Sequence, residues 1–310
     1  MRKIHIAAGL AALAVAGWLL PPYYAGLVVD GLIFAIFALG VNLLLGHTGL
    51  PSLGHAAYFG MGAYAAGLTA IHVSQSFWIG AAAGIGGALL LGAVYGLLAL
   101  RTAGVYFLMI TLALGQIAWA VAFSWRRVTG GDDGLRGVPR PDLGIPGLLD
   151  DRNAYFLFAL ACCIAAGLLM AAIIRSPFGR SLRGIHENPQ RMEALGYRVW
   201  LHKYLAFVLS AGFSGFAGVV FVYYKGFVSP EAASIVISAE AMLMVIVGGA
   251  ATTFGPVVGA FIIITLSHVV SGYTDRWPLI LGLLYIAVVL LAPHGVVALA
   301  RRHLLRRAVR

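Results

Sequence analysis

Residues 25–45 read AGLVVDGLIFAIFALGVNLLL, a run whose polar side chains are Asp30 and Asn42 alone. A helix of about 20 apolar residues crosses a hydrocarbon core of about 30 Å, and lipid offers no partner to an unpaired backbone N–H or C=O, so such a run is read as a membrane-spanning helix. Working outward, comparable runs fall at 4–20, 54–72, 78–100, 104–124, 154–174, 203–224, 235–251, 254–271 and 277–292, which with 25–45 makes about ten spans. The number drops toward eight if the two weakest are broken or re-entrant. Residues 54–72 follow the polar, glycine-containing stretch Gly46-His47-Thr48-Gly49, and 235–251 is short and contains Glu240.

Composition agrees. Hydrophobic residues make up 61% of the 310 and charged residues only 10%, with a mean hydropathy of +0.93, whereas an average soluble domain is about 25% charged. So few charges cannot cover a water-facing surface. A soluble enzyme, a disordered chain, a fibrous protein and a disulfide-stapled secreted domain are thereby excluded. The fold class is all-α, a polytopic helical membrane protein. The net charge of +10 does not point to nucleic acid, because the charges cluster in short segments between apolar runs, as the orientation of a multi-span protein requires.

Those clusters fix the expected sides. Arg2 and Lys3 precede the first run, Arg101 follows the fourth, Arg175, Arg180, Arg183, Arg191, Arg198 and Lys203 lie between the sixth and seventh, and Arg301, Arg302, Arg306, Arg307 and Arg310 end the chain. With ten spans all of them share one side, the cytoplasmic one, with both termini; loop 125–153 then faces outward. A secretory signal is imitated by Arg2-Lys3, the apolar run and Ala14-Val15-Ala16, and its cleavage would leave the other nine spans unchanged.

Forty glycines in helical runs let backbones approach closely in lipid, and small-xxx-small pairs recur at Gly80/Gly84, Gly92/Gly96, Ala211/Gly215, Ser214/Gly218 and Gly255/Gly259. Polar groups at membrane depth are expensive and therefore candidates for function: Asn42, Gln116 and Glu240, with Asp30, His55 and His268 beside them. Asn42 and Gln116 are expected to bond between helices; Glu240 either closes a helix end or lines a pathway. Motifs for nucleophilic, zinc or phosphate-binding chemistry do not occur. Asp132-Asp133 lacks a second acidic motif, and the adjacent Cys162 and Cys163 read as small packing residues. If the protein uses ATP, another chain must bind it, and no metal or other cofactor is expected on this one.

Loop 175–203, RSPFGRSLRGIHENPQRMEALGYRVWLHK, carries the functional argument. Asn188 suits a helix N-cap, Pro189 the first helical position and Gly196 the residue past the end, so a helix of about two turns is expected over 189–195. So short a helix needs a surface to dock on. Met192 and Leu195, three apart, are expected to share a face with Ile185 just upstream, while Arg191 and Glu193 offer charge to a partner.

Glu193-Ala194-Leu195-Gly196 in this setting resembles the coupling segment of ABC importer permeases. The surrounding residues resemble the LivM-type permease subunit of branched-chain amino acid importers. The matching stretches are GRSLR at 179–183, Glu187-Asn188, KYLAFVLSA at 203–211, GLPSLGHAAYFGMGAY at 49–64, Gly104-Val-Tyr-Phe with Thr111-Leu-Ala, Thr129-Gly-Gly with Gly134-Leu, and EAMLMVIVGG at 240–249 with Gly255-Pro256. Gln116 stands where that family commonly has Glu.

The resemblance implies one transmembrane permease domain over 1–300 with a basic tail at 301–310. This chain is then a transport subunit and not an enzyme. It would pair with a second, H-type permease subunit, two cytoplasmic ATPase subunits that hold ATP with Mg, and a periplasmic substrate-binding protein received by loops 125–153 and 225–234. Residues Glu187, Asn188, Arg191, Met192, Glu193, Ala194, Leu195 and Gly196 would form the ATPase-coupling element of a multi-pass protein in the bacterial inner membrane. Leucine, isoleucine and valine are the implied cargo, with urea or short amides as the alternative. A stand-alone secondary carrier and a membrane-embedded transferase are the competing classes, and co-purification with ATP-binding subunits separates all three.

Overall fold

Among the described residues, each apolar run becomes a helix that begins or stops at a proline, a glycine or a polar cap. A computed structural model describes residues 21–144 and 147–273, together with 279, 280, 282, 283 and 286. Eight of the expected spans appear as helices: α1 (Pro22–Thr48), α2 (His55–His72), α3 (Phe77–Ala99), α4 (Val105–Ser124) and α5 (Arg152–Arg175), then, after two short helices α6 (Pro177–Glu187) and α7 (Pro189–Ala194), α8 (Val199–Lys225), α9 (Ile235–Gly248) and α10 (Gly255–Ser271). The expected spans 4–20 and 277–292 lie outside the described residues apart from isolated positions, as does the tail 301–310. By length and composition α1, α3, α4, α5 and α8 can each cross a membrane, while α9 and α10 are apolar but shorter. Ten full spans are therefore not reached among the described residues.

α1 and α8 form the centre, with Ile33, Ile36, Phe37 and Leu39 of α1 and Val219, Val220 and Val222 of α8 fully buried. α2, α3, α5 and α10 pack around them. Close approach rests on glycine: a Cβ on Gly62 would strike the Gly215 carbonyl, one on Gly218 the Phe59 carbonyl, one on Gly92 the Ala211 methyl, and one on Gly259 the Met244 carbonyl. The small-residue pairs thus lie on the seams between α2, α3 and α8 and between α9 and α10, where dispersion replaces the missing hydrophobic drive. An aromatic knot joins three helices, Phe59 lying 5.0 Å from Phe37 and 5.1 Å from Phe221 between ring centroids. Cys162 and Cys163 are both buried in α5, in keeping with a packing role.

Helix α2 is unbroken, but it starts inside the bundle. The His55 Nε2 and Ser210 Oγ atoms are 2.7 Å apart, and Ser210 donates to the Gly40 carbonyl. Gly40 is eight residues from the end of α1 and Ser210 eleven from the start of α8, which at 1.5 Å per residue puts the head of α2 about 12–16 Å in from the end that carries α6 and α7. Residues 49–54 therefore re-enter the bundle. Helix α9 is the second partial element. Its Ser238 accepts from the Ala56 N–H at the head of α2, and it runs back to the α6–α7 end over 14 residues, or about 21 Å. From the opposite end, the chain descends to α9 through β2 (Phe227–Val228) and a 3-10 turn, Pro230–Ala233, whose Ala233 sits against Gly60.

At that opposite end β2 pairs antiparallel with β1 (Leu135–Arg136), Leu135 facing Val228, so the two expected outer loops are joined to each other. Near them Lys225 Nζ lies 2.8 Å from the carboxylate of Asp30, which His268 approaches at 3.8 Å. This ties α1, α8 and α10 together, with the Asp30 side chain only 10% exposed. Removing one partner of a desolvated pair costs more than removing both. Lys225→Met is accordingly expected to lower the melting temperature of the detergent-extracted protein by several degrees, on the order of 2 kcal/mol, and Asp30→Asn in the same chain to recover most of it.

Candidate functional site

The α6–α7 hairpin is built from two copies of one capping pattern. Ser176 accepts from the Gly179 N–H at 3.2 Å and is followed by Pro177; Asn188 accepts from the Arg191 N–H at 2.9 Å and is followed by Pro189. Each side chain takes up an N–H that the first turn of a helix leaves unpaired. Helix α7 closes where Gly196, at φ +86°, donates to the Glu193 carbonyl while Tyr197 donates to that of Met192. The expected helix thus forms between its expected caps, with Leu195 just past its last residue.

Its docking surface is the chain itself. Met192 is buried with Ile185 of α6 and Val199 of α8 in a cluster of their own, and its sulfur lies against Gly184. Leu195 does not share that face, since it is 67% exposed. The six-residue helix ends at Ala194, one residue early, and the turn into Gly196 swings Leu195 outward. Among residues 186–198 only Met192 is buried, so Glu187, Asn188, Arg191, Glu193, Ala194, Leu195 and Gly196 present a continuous solvent-facing tip. No ion pair engages that tip among the described residues.

Helix α6 was not expected, although Ser176-Pro177 carried the same signal as Asn188-Pro189. It touches the end of α1: the His186 ring lies against Gly49, which stands at φ +71° just past α1, and a Cβ there would come within 2.8 Å of His186 Cδ2.

The candidate membrane-depth residues part company. Asn42, fully buried on α1, accepts from the Ala251 N–H and donates to the Thr252 carbonyl, both at 3.0 Å, holding the turn between α9 and α10. Its partners stand in that turn and not on a helix, so the bond runs from helix to turn where one between helices is expected. His55, buried at the head of α2, uses Nε2 with Ser210 and leaves Nδ1 without a partner among the described residues. Glu240 is buried on α9, two residues after Ser238, with no ion-pair partner among the described residues. Gln116 is half-buried on α4, and the interhelical bond expected of it does not form among the described residues. The residues that hold the break are hydroxyls of the apolar runs and the re-entrant loop. Thr111 of α4 accepts from the Leu53 N–H, Ser52 from Gly54 and Ser238 from Ala56. Single serines and threonines in apolar runs gave no spacing signal.

Three groups from separate elements thus occupy the N–H donors at the head of α2, and the tip of α7 is left open. The arrangement offers an exposed peg held at its root, and among the described residues no group of His, Cys, Asp and Glu could hold a metal.

Known proteins are similar to this chain in sequence. Residues 23–293 match the family model described as the branched-chain amino acid transport system / permease component. The chain is 27% identical to the high-affinity branched-chain amino acid transport system permease protein LivM of Salmonella typhimurium, covering 88% of this chain and 69% of the relative, and equally similar to LivM of Escherichia coli. It is 25% identical to the probable branched-chain amino acid transport permease protein LivH of Methanocaldococcus jannaschii, covering 87% of this chain and 90% of that one. No solved structure matches. With its apolar helices, its re-entrant break and a match over nearly its whole length, the chain is a multi-pass membrane transport subunit that belongs to the branched-chain amino acid transport permease family.

Proposed function

We propose that this subunit moves leucine, isoleucine and valine inward across the bacterial inner membrane as part of an ATP-binding-cassette importer. A second, H-type permease completes the pathway, two cytoplasmic ATPase subunits drive it, and a periplasmic binding protein delivers the cargo to the paired loops around β1 and β2. The names of the LivM and LivH relatives support the cargo and the paired permeases. The basic residues at the α6–α7 end support a cytoplasmic side for that end, and the positive-inside pattern of the sequence supports the same side for both termini.

The observation that carries the coupling role is the exposed, doubly capped α7, pinned at its root by Met192 and free at its tip. A two-turn helix would fray in water on its own; held by its own chain, it can seat in a groove of an ATPase and move as a rigid peg when the nucleotide-bound dimer closes. ATP with Mg belongs to those partners, and this chain contributes no covalent step.

Reconstitution of the four-subunit complex in vesicles with radiolabelled leucine and its binding protein tests the reading. Uptake is expected only with ATP on the α6–α7 side. Uptake by this chain alone, without ATP, would establish a carrier instead, and urea uptake with no leucine uptake would overturn the cargo.

A further inference from the structure

Among the described residues other than glycine, Ala251 is the one with a positive φ, +62°. That conformation costs an L-residue roughly 1–2 kcal/mol, and it persists only where the surroundings enforce it. Here the surroundings are Asn42 and Gly46. The Asn42 amide clasps Ala251 and Thr252 through two hydrogen bonds of 3.0 Å, and Gly46, one turn on, leaves room for the Ala251 backbone. Thr252 ties the turn internally, donating to the Gly249 carbonyl at 2.8 Å and accepting from the Gly255 N–H at 3.0 Å.

This turn stands between two things that must move together. On one side, α1 is followed by Gly49, on which His186 of α6 rests, and α6 shares the Met192 cluster with α7. On the other, α9 carries Ser238, the cap of the Ala56 N–H at the head of α2. A displacement of α6 and α7 thus has a continuous packed route to the interior break, through α1 and the held turn.

We propose that Asn42 is a positioning residue for transport: by enforcing the strained Ala251 turn it makes α1 and the half-helix α9 move as one body, so that motion at the coupling hairpin reaches the re-entrant break at the head of α2. The inference rests on the coupling reading of α7 given above. It is distinct from a packing role because it runs through the backbone of Ala251, which glycine could replace at no conformational cost.

The test is the number of ATP molecules hydrolysed per leucine imported by the whole reconstituted complex. Asn42→Ala is expected to raise that ratio about tenfold, in the range known for residues that carry coupling, with the rate of ATP hydrolysis preserved. Ala251→Gly added to Asn42→Ala is expected to bring the ratio back toward that of the unaltered protein; a lost bond that merely weakens packing would not be rescued this way. If Asn42→Ala does not assemble, Asn42→Leu decides, since it fills about the same space and loses both the acceptor for Ala251 and the donor to Thr252: a raised ratio supports the proposal and an unchanged one overturns it. A variant at Gly196 separates the two levels. If Gly196→Val uncouples and the Asn42 variants do not, or if glycine fails to rescue, the role of Asn42 is wrong while the coupling role of α7 stands; if none of them uncouples, both fall.

Discussion

Gly218→Leu is expected to remove the folded protein from the membrane altogether. Gly218 faces α2, where an added Cβ would overlap the Phe59 carbonyl and lie 2.9 Å from the Ala63 nitrogen. Both obstacles are backbone, so no side-chain rotation relieves the clash, and α2 and α8 must separate. Overpacking a close-packed interior costs roughly 1–3 kcal/mol when side chains can yield, and more is expected where they cannot. In lipid the loss is compounded, because helix association there depends on such close contacts. The protein recovered after mild detergent extraction and size-exclusion chromatography measures it, with the neighbouring Gly212→Ala, which meets only the flexible Leu89 side chain, expected to be nearly neutral.

The second large effect is functional and leaves the fold intact. Gly196 has open space around the position of a Cβ, yet its φ of +86° belongs to the left-handed region. Gly196→Val therefore acts through the backbone alone, costing more than the roughly 1–2 kcal/mol of an ordinary L-residue because valine is β-branched. The closing bonds to the Glu193 and Met192 carbonyls are lost with that turn, and a six-residue helix has no reserve of internal bonds. Membrane insertion is expected to be normal and ATP hydrolysis to continue, while leucine import falls about tenfold or more, the ratio expected from an energy of that order. Gly196→Ala should fall between. Parallel measurements of hydrolysis and import on the same vesicles check this; normal import in Gly196→Val would refute the coupling role.

How much of this was legible follows from how local each cause is. The spans and α7 depend on runs and caps that sit side by side in sequence, which is why Asn188, Pro189 and Gly196 predicted a helix that the structure contains. Helix α6 had equally local signals at Ser176 and Pro177 and was readable. The orientation of Leu195 was not, because the face a residue takes at the end of a short helix depends on where the chain turns, and Met192 alone found a partner in Ile185 and Val199. Nor was the role of Asn42. Its partners lie 209 and 210 residues away, and nothing about an asparagine in an apolar run names the turn it will hold. The β1–β2 pair joins loops far apart through two residues each, too few for an alternating pattern to show.

The most direct test of the account is a cross-link. In a chain carrying Glu193→Cys, where the native Cys162 and Cys163 are buried within α5, a short bifunctional thiol reagent applied to inside-out vesicles holding the assembled complex is expected to join residue 193 to an ATP-binding subunit, with a yield that changes when nucleotide closes the ATPase dimer. Labelling of the same cysteine by an impermeant reagent from outside intact cells, with no cross-link to an ATPase, would contradict it.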